Sequence, residues 1–251
     1  METLKENWLF RTESLIGAEG LHRLASLRVM ACGVGGVGGM ALEALARSGV
    51  GYFVVVDCDV FHPTNLNRQI LATRESLGKP KTTIAKERIL SINPEATVIP
   101  IQGFADSQII SILQSYPVDF VIDAIDSLNP KVQLISTLMH KNIPFISSMG
   151  AAARFDASSF RIGKLSDVKG CPLSRKVRQR LRRIGIDPRH IPVVYSTEMV
   201  KEGQGIASYI QEENFYERGR QRIPRGSLAT TVMAAGLLCA QEVIMWALKK
   251  T

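Results

Sequence analysis

The 251-residue sequence has few of the residues that build disulfide or zinc frameworks. Its four cysteines, Cys32, Cys58, Cys171 and Cys239, are widely spaced, and none belongs to a Cys-x-x-Cys pair. This spacing argues against a zinc knuckle or a redox dithiol. We expect Cys32, Cys58 and Cys239 to act as small buried apolar residues. Cys171, in a Gly-Cys-Pro turn, is the one candidate for an exposed and reactive thiol.

A secretory signal is also lacking. The first residues, METLKENWLFRTE, are charged and contain no small-residue cleavage site, which predicts a cytoplasmic protein. Residues 227–250 form an apolar run as long as a membrane span. Gln241 and Glu242 interrupt this run, so we predict a buried closing helix and no stable membrane span.

Positive charge is concentrated in one segment. The formal net charge is +8, from 31 Lys and Arg against 23 Asp and Glu. Residues 161–189 contain ten Lys or Arg and two Asp, so 10 − 2 = +8 lies there and the remaining 21 basic and 21 acidic residues cancel. A local excess of this kind favours a polyanionic partner, although a solvated helix face is the simpler reading of a charge run.

Apolar strands alternate with helical patterns over the first 150 residues. The segment from Arg28 to Val60 has the order strand, glycine turn, helix and strand of a βαβ unit. Further strands are predicted at 96–101, 119–125 and 143–149, with helices at 81–92 and 128–141. The sequence therefore predicts an α/β, Rossmann-like fold, with a mainly parallel sheet and helices on both faces.

The alternation is predicted to stop at residue 161. One helical stripe is expected to bury Leu173, Val177, Leu181 and Ile184, with Gly185 ending the helix. Residues 193–198 form a candidate strand, and residues 201–227 have a turn-rich composition without a period. We therefore predict one compact domain with three parts: a nucleotide-binding core with N-terminal helices at 1–160, a basic segment at 161–226 and a closing helix at 227–251.

A nucleotide site is predicted at the glycine turn. Gly33, Gly35 and Gly38 fit the G-x-G-x-x-G pattern between a strand and a helix, where backbone amides can approach phosphate. Asp57 ends the next strand, where a carboxylate can accept hydrogen bonds from ribose hydroxyls. Asp59, two residues further, is a candidate helper on the same side of the strand.

Three side chains that can bind phosphate follow in the sequence: Asn65, Arg68 and Lys81. Hydride transfer does not require such a concentration of cationic donors, whereas phosphoryl or nucleotidyl transfer does. A NAD-dependent oxidoreductase is therefore retained only as an alternative. A second, non-enzymatic alternative is a tRNA-binding protein whose nucleotide-binding fold has lost its catalytic activity.

Five motifs together resemble the adenylating superfamily that includes ubiquitin-activating enzymes and the bacterial MoeB, ThiF and HesA proteins. They are GVGGVG (33–38), DCD (57–59), NLNRQ (65–69), GKPK (78–81) and DAID (123–126). A longer pattern covers nearly the whole chain and is similar to the tRNA threonylcarbamoyladenosine dehydratase family. It includes FRTESLIG (10–17), INPEATV (92–98), ISSMGAAARFDASSFRIGKLSD (146–167), PLSRKVRQRLRR (172–183) and VVYSTE (193–198).

The resemblance implies roles for individual residues. ATP would contact Gly33, Gly35, Gly36, Gly38, Asp57, Asp59, Asn65, Arg68 and Lys81. Asp126 would hold Mg²⁺, and Arg11 would reach the ATP of the other subunit in a homodimer. Arg68, Lys81, Asp126 and Arg11 would be the catalytic set. The charge of the helix around Arg175 to Arg183, and not the resemblance, predicts the tRNA contacts, which we expect to face outward around the apolar stripe: Arg175, Lys176, Arg178, Arg182 and Arg183.

The implied activity is ATP-dependent dehydration of threonylcarbamoyladenosine in tRNA through carboxylate adenylation. The alternative within the superfamily is adenylation of the C-terminal glycine of a ubiquitin-like sulfur carrier. Members with that activity usually bind zinc through two Cys-x-x-Cys pairs, which this chain lacks. Some dehydratases carry a cysteine just before the strand that corresponds to VVYSTE. This chain has none, so a sulfur-relay partner is left open and not assigned.

Overall fold

The computed structural model describes residues 7–104, 108–200, 205 and 225–249. The strands are β1 (Arg28–Cys32), β2 (Tyr52–Asp57), β3 (Thr97–Gln102), β4 (Phe120–Asp123), β5 (Phe145–Ser148), β6 (Phe160–Lys164) and β7 (Pro192–Ser196). The α-helices are α1 (Phe10–Ser26), α2 (Gly36–Arg47), α3 (Lys81–Ile92), α4 (Ile109–Ser115), α5 (Leu128–His140), α6 (Pro172–Arg183) and α7 (Ala229–Lys249).

The strands form one seven-stranded sheet in the order β3-β2-β1-β4-β5-β7-β6. Every strand pair is parallel except β6 with β7. Because β2 and β3 lie on one side of β1 and β4 and β5 on the other, the chain reverses its direction of winding between β1 and β4. Ligands of open parallel sheets bind in the crevice at this switch point, beyond the carboxyl ends of the strands.

Side chains of the central strands alternate between two apolar cores. In β1, Val29 and Ala31 belong to one core, while Met30 and Cys32 belong to the other. Buried residues of α1, α2, α3 and α7 join the first core, and those of α4, α5 and α6 join the second. The predicted Rossmann-like fold with helices on both faces is therefore confirmed.

The closing helix α7 packs along α2 at very short range. A Cβ on Gly236 would lie 2.4 Å from the Val37 carbonyl oxygen, and one on Gly36 would lie 2.3 Å from Cγ1 of Val232. Within the described ranges, α7 is long and apolar enough to cross a membrane, and here one face covers α2 and the sheet. Its other face, including Leu237 and Met245, is exposed.

The predicted strands and helices have close counterparts, but two elements were missed. The helix predicted at 81–92 is α3, with the same bounds. The missed elements are the short helix α4 and the edge strand β6, which pairs antiparallel with β7. The boundary at residue 160 remains a prediction, and β7 pairs with β5 across it. The turn-rich stretch at 201–227 lies outside the described residues except for 205 and 225–227.

Candidate active site

The glycine turn connects β1 to α2 at the switch point of the sheet. Gly33 has φ 92°, a conformation that favours glycine, and a Cβ there would lie 2.8 Å from the Ala124 carbonyl oxygen. A Cβ on Gly38 would lie only 1.8 Å from the Gly33 oxygen. Gly35 caps α2 without a side-chain hydrogen bond. The first backbone amides of a helix have no acceptor within it, so this end of α2 can bind an anion.

Asp57 supports the glycine turn from the end of β2. Its Oδ2 accepts from the Val34 amide at 2.5 Å, and its Oδ1 accepts from the Asp59 amide at 2.8 Å. Burial raises the pKa of Asp57, and the nearby Asp59 raises it further, while Lys81 acts in the opposite direction. Each carboxylate oxygen can accept more than one hydrogen bond, so the geometry is compatible with a ribose contact.

Lys81 returns to the end of β2 because residues 59–61 pair with residues 77–81. The Phe61 amide donates to the Lys79 carbonyl, and the Lys81 amide donates to the Asp59 carbonyl, both at 3.0 Å. The Lys81 ammonium is nearly buried, with Nζ 3.0 Å from Oδ2 of Asp59. Two residues that are 22 positions apart thus form one ion pair beside the glycine turn.

Asn65 and Arg68 lie in the loop that this pairing closes. Oδ1 of the buried Asn65 accepts from the His62 amide at 3.1 Å, which fixes the short 3₁₀ turn at Pro63–Asn65. Nη1 of Arg68 donates to the Thr64 carbonyl at 2.7 Å. The Arg68 carbonyl oxygen would lie 2.9 Å from a Cβ on Gly36. The structure therefore brings the predicted loop residues to the glycine turn.

Gln69, the last residue of the NLNRQ motif, belongs to this site but was not predicted as a site residue. Its side chain is 7% exposed, and its Oε1 is buried without a hydrogen-bond partner among the described residues. Its Nε2 would lie 3.8 Å from a Cβ on Gly35. A buried, unsatisfied acceptor is costly in free energy, so Gln69 is suited to receive a donor from a ligand at the turn.

The two acids of DAID have opposite environments. Asp123 is fully buried, and its carboxylate accepts from Lys131 Nζ at 2.7 Å, from Ser147 Oγ at 2.6 Å and from the Ile125 amide at 3.1 Å. Asp126 is exposed beyond the end of β4. The first acid therefore holds the backbone in place, and the second is an exposed residue just beyond the carboxyl end of β4.

A second group of potential metal ligands forms hydrogen bonds and an ion pair with other groups of the same chain. Ligand atoms of Asp57, Cys58 and Asp59 lie within 4.8 Å of one another. The carboxylates receive the amide and ammonium donors described above, and burial raises the pKa of the Cys58 thiol to about 12. This raised pKa means that the half-buried thiol is not activated for nucleophilic attack.

Arg11 lies far from the glycine turn of its own chain. A Cβ on Gly49, just after α2, would lie 2.8 Å from Cδ1 of Leu9. The start of α1 therefore packs at the C-terminal end of α2, whereas the glycine turn is at its N-terminal end. A helix of 12 residues separates the two ends by about 18 Å. The structure therefore places Arg11 away from the glycine turn of its own chain.

The basic helix α6 differs in part from its prediction. Val177 and Leu181 are buried as expected, and Gly185, with φ 78°, follows the end of the helix. Ile184 was predicted to be buried, but it is 54% exposed because the helical geometry ends before it. The expectation that Arg178 faces outward is also wrong.

The Arg178 guanidinium is half-buried under the preceding loop. Its Nη1 donates to the carbonyls of Leu165 and Val168 at 2.9 and 3.0 Å. Through these bonds Arg178 holds α6 against that loop, and its half-buried guanidinium does not face outward with the exposed arginines. The other predicted tRNA contacts are exposed, namely Arg175, Lys176, Arg182 and Arg183.

Cys171 is not an exposed thiol. It is 5% exposed and caps α6, with Sγ 3.5 Å from the Ser174 amide. The alternative of a reactive Cys171 is therefore wrong. Cys32 and Cys239 are fully buried as predicted, whereas Cys58 is only half-buried.

The fold and site define an α/β protein that binds a nucleotide at the β1–β4 switch point, with a cluster of cationic side chains beside the phosphate-binding turn. The family model described as "ThiF family" matches residues 10–251. The chain belongs to the ThiF family and, within it, to the tRNA threonylcarbamoyladenosine dehydratases.

Two comparisons support this membership, and a third shows a more limited similarity. The tRNA threonylcarbamoyladenosine dehydratase of Bacillus subtilis is 38% identical over 95% of this chain and 94% of its own length. The crystal structure of the E. coli enzyme TcdA in complex with ATP superposes with a TM-score of 0.85 at 28% identity and covers 99% of this chain and 98% of that one. The molybdopterin-synthase adenylyltransferase of Salmonella typhimurium is 32% identical, but the match covers only 55% of this chain and 54% of that protein.

Proposed function

We propose that the protein catalyses the ATP-dependent dehydration of N6-threonylcarbamoyladenosine in tRNA. The observation that carries this proposal is the extent of the similarity. The match with the dehydratase covers 95% of the chain, a share that includes the basic helix α6 and strand β7, whereas the match with the adenylyltransferase covers 55% of it. Activation of a sulfur-carrier protein is therefore the weaker alternative.

In the proposed reaction, the threonyl carboxylate attacks the α-phosphorus of ATP. A carboxylate oxygen–phosphorus bond forms, the bond to the β-phosphate oxygen breaks, and pyrophosphate leaves. A nitrogen or oxygen of the same side chain then attacks the activated carbonyl, loses its proton and expels AMP. Ring closure within one side chain needs no enzyme nucleophile, because proximity already favours it. This explains why the site contains cations and amides and has no exposed cysteine among its described residues.

The chain's own residues supply alignment and charge. In this proposal, the amides at the start of α2, the guanidinium of Arg68 and the ammonium of Lys81, which is paired with Asp59, would bind the ATP phosphates. Such preorganised donors stabilise negative charge that develops during transfer. We assign Asp126 as the ligand of Mg²⁺, because an exposed carboxylate at the crevice is the type of donor that this cation prefers. Bound Mg²⁺ would neutralise phosphate charge.

The function can be tested with the purified protein. In the presence of ATP and tRNA that carries threonylcarbamoyladenosine, the nucleoside should lose one water, as seen by mass spectrometry of the digested tRNA, and pyrophosphate should be released. Unmodified tRNA should give neither product. Pyrophosphate release that depends on a small carrier protein with a C-terminal glycine, and not on tRNA, would instead support the sulfur-carrier alternative.

The tRNA is proposed to bind the exposed side of α6. Arg175 and Arg182 are two turns apart on this helix and are both exposed. Since a tRNA substrate is cytoplasmic, the predicted cytoplasmic location agrees with this proposal. The burial of Cys171 gives no support to a sulfur-relay partner.

Reversing charge on α6 should weaken tRNA binding. For the Arg175→Glu/Arg182→Glu variant, we expect a lower affinity and a salt dependence that flattens by roughly one unit of slope per lost phosphate contact. Affinity should be measured by filter binding at several salt concentrations. Lys249→Glu, at the exposed end of α7, is the control and should leave the slope unchanged. An unchanged slope in the double variant would move the tRNA surface elsewhere.

A homodimer is proposed from the position of Arg11. If Arg11 serves the site of the other subunit, an Arg11→Ala chain mixed with an Arg68→Ala chain should form heterodimers with one intact composite site. Every such heterodimer has both substitutions in one site and neither in the other, so its activity should be about half of the wild-type value. Each variant alone should stay inactive. No recovery after demonstrated subunit exchange would show that Arg11 does not act between subunits.

A further inference from the structure

Arg154 is a buried cation that has no role in the active site described above. It is among the largest fully buried side chains, at 2% exposure. Neither Nε nor Nη1 has a hydrogen-bond partner among the described residues. A guanidinium remains protonated at all relevant pH values, so it cannot lower this cost by losing its charge. An unpaired buried charge costs several kcal/mol, which suggests that a partner is supplied from outside the chain.

The nearest carboxylates in the sequence and in the fold do not fill this role. Glu198, after β7, accepts from the backbone amides of Phe155 and Asp156 at 3.0–3.2 Å. Asp156 accepts from the Ser158 amide at 2.8 Å and from the Ser158 hydroxyl at 2.5 Å. Both acids stabilise the loop around Arg154 and leave its guanidinium unpaired.

The fold places Arg154 at the same edge of the sheet as the nucleotide site. The glycine turn follows β1, Asp126 follows β4, and Arg154 follows β5, the next strand. Two strand spacings separate β1 from β5 by about 10 Å. The carboxylate that attacks the α-phosphorus must approach from beside the nucleotide, and the loop after β5 lies on the side of Asp126 that faces away from the ribose-binding end of β2.

Two hydrogen bonds connect the loop after β5, through residues 226 and 227, to the segment that carries Arg68. The Ala153 amide donates to the Gly226 carbonyl at 2.8 Å, and Nδ2 of Asn67 donates to the carbonyl of the next residue, Ser227, at 3.1 Å. Asn67 directly precedes Arg68. Ala153 has φ 57°, a conformation that is costly for a residue with a Cβ and is often found at ligand sites.

We propose that Arg154 binds the threonyl carboxylate of the modified adenosine and positions it for attack on the α-phosphate. This inference rests on the proposed function. The planar fork of a guanidinium matches a carboxylate, and a charge-assisted pair of hydrogen bonds is both strong and directional. The modified base would thus supply the anion that Arg154 does not find among the described residues, and Arg154 would distinguish modified tRNA from unmodified tRNA before any chemistry occurs.

Equilibrium binding without ATP tests the proposal. The probes are two tRNAs that differ only in the threonylcarbamoyl group, together with ATP alone as a third ligand. The wild-type protein should prefer the modified tRNA by about 10- to 100-fold, the range expected for a hydrogen-bonded charge pair. Arg154→Gln should lose this preference while its affinities for unmodified tRNA and for ATP stay unchanged. Arg154→Lys should retain part of the preference.

The control is Arg182→Gln, which makes the same chemical change on the proposed tRNA surface. It should lower the affinity for both tRNAs equally. Equal weakening of both tRNAs by Arg154→Gln would assign Arg154 to tRNA phosphates, and a loss of ATP affinity would assign it to ATP. Either result overturns the proposal, as does an unchanged preference in both Arg154 variants. If the wild-type protein dehydrates modified tRNA but Arg154→Gln keeps its preference, only this inference fails. If the wild-type protein does not turn over modified tRNA, the proposed function fails.

Discussion

Replacing Asp126 with Asn should lower pyrophosphate release by at least about 100-fold, since stabilisation of phosphate charge by a bound metal contributes several kcal/mol and each 1.36 kcal/mol is tenfold in rate. The substitution keeps the shape of the side chain and removes its charge. Asp126 is exposed and lies outside both apolar cores, so the variant should fold normally. Its tRNA affinity should be unchanged.

Single-turnover pyrophosphate release with modified tRNA, measured over a range of Mg²⁺ concentrations, checks this expectation. Glu95→Gln is a matched control, because Glu95 is an exposed carboxylate just before β3, at the opposite edge of the sheet. The control should behave like the wild type. Near-normal release by Asp126→Asn would show that the metal ligand is a different residue.

Replacing Lys131 with Met should lower the free energy of unfolding by about 3–5 kcal/mol, the usual effect of removing one partner from a buried ion pair. Lys131 and Asp123 are both fully buried, with Nζ 2.7 Å from Oδ2, and the Ser147 hydroxyl bonds to both. Without the ammonium, the Asp123 carboxylate remains charged in an apolar environment or must take up a proton. Both outcomes cost free energy.

Urea unfolding measures this loss, and Lys176→Met, at an exposed position of α6, should change the free energy by no more than about 0.5 kcal/mol. A second effect should accompany it. The Ile125 amide bonds to Asp123, so a disturbed carboxylate also shifts the backbone that carries Asp126, and ATP affinity should fall. A loss of less than about 1 kcal/mol would mean that Asp123 is readily satisfied without Lys131.

Local patterns allowed most of the fold and the nucleotide site to be predicted. Continuous apolar runs separated by helical periods predict strands buried on both faces, and the interior of the sheet has this arrangement. The glycine turn could also be predicted from local sequence. Gly33 is required by its positive φ, and Gly38 is required because a Cβ there would collide with the carbonyl oxygen of Gly33, five residues earlier. The edge strand β6 was missed because an edge strand has weak apolar alternation, and its pairing with β7 joins segments about 30 residues apart.

By itself, the sequence determined the strand–turn–helix order, the phosphate-binding turn and the segment that carries the net charge, since each depends on neighbouring residues. Only the tertiary structure decided which charges remain available. It buried Arg178 against two carbonyls and Lys131 against Asp123, and it enclosed Arg154 with no hydrogen-bond partner for Nε or Nη1 among the described residues. The physical reason is that the free energy of a charged side chain depends on its solvation and its partners. Both are set by segments that are distant in the sequence and meet only when the sheet and its covering helices have packed.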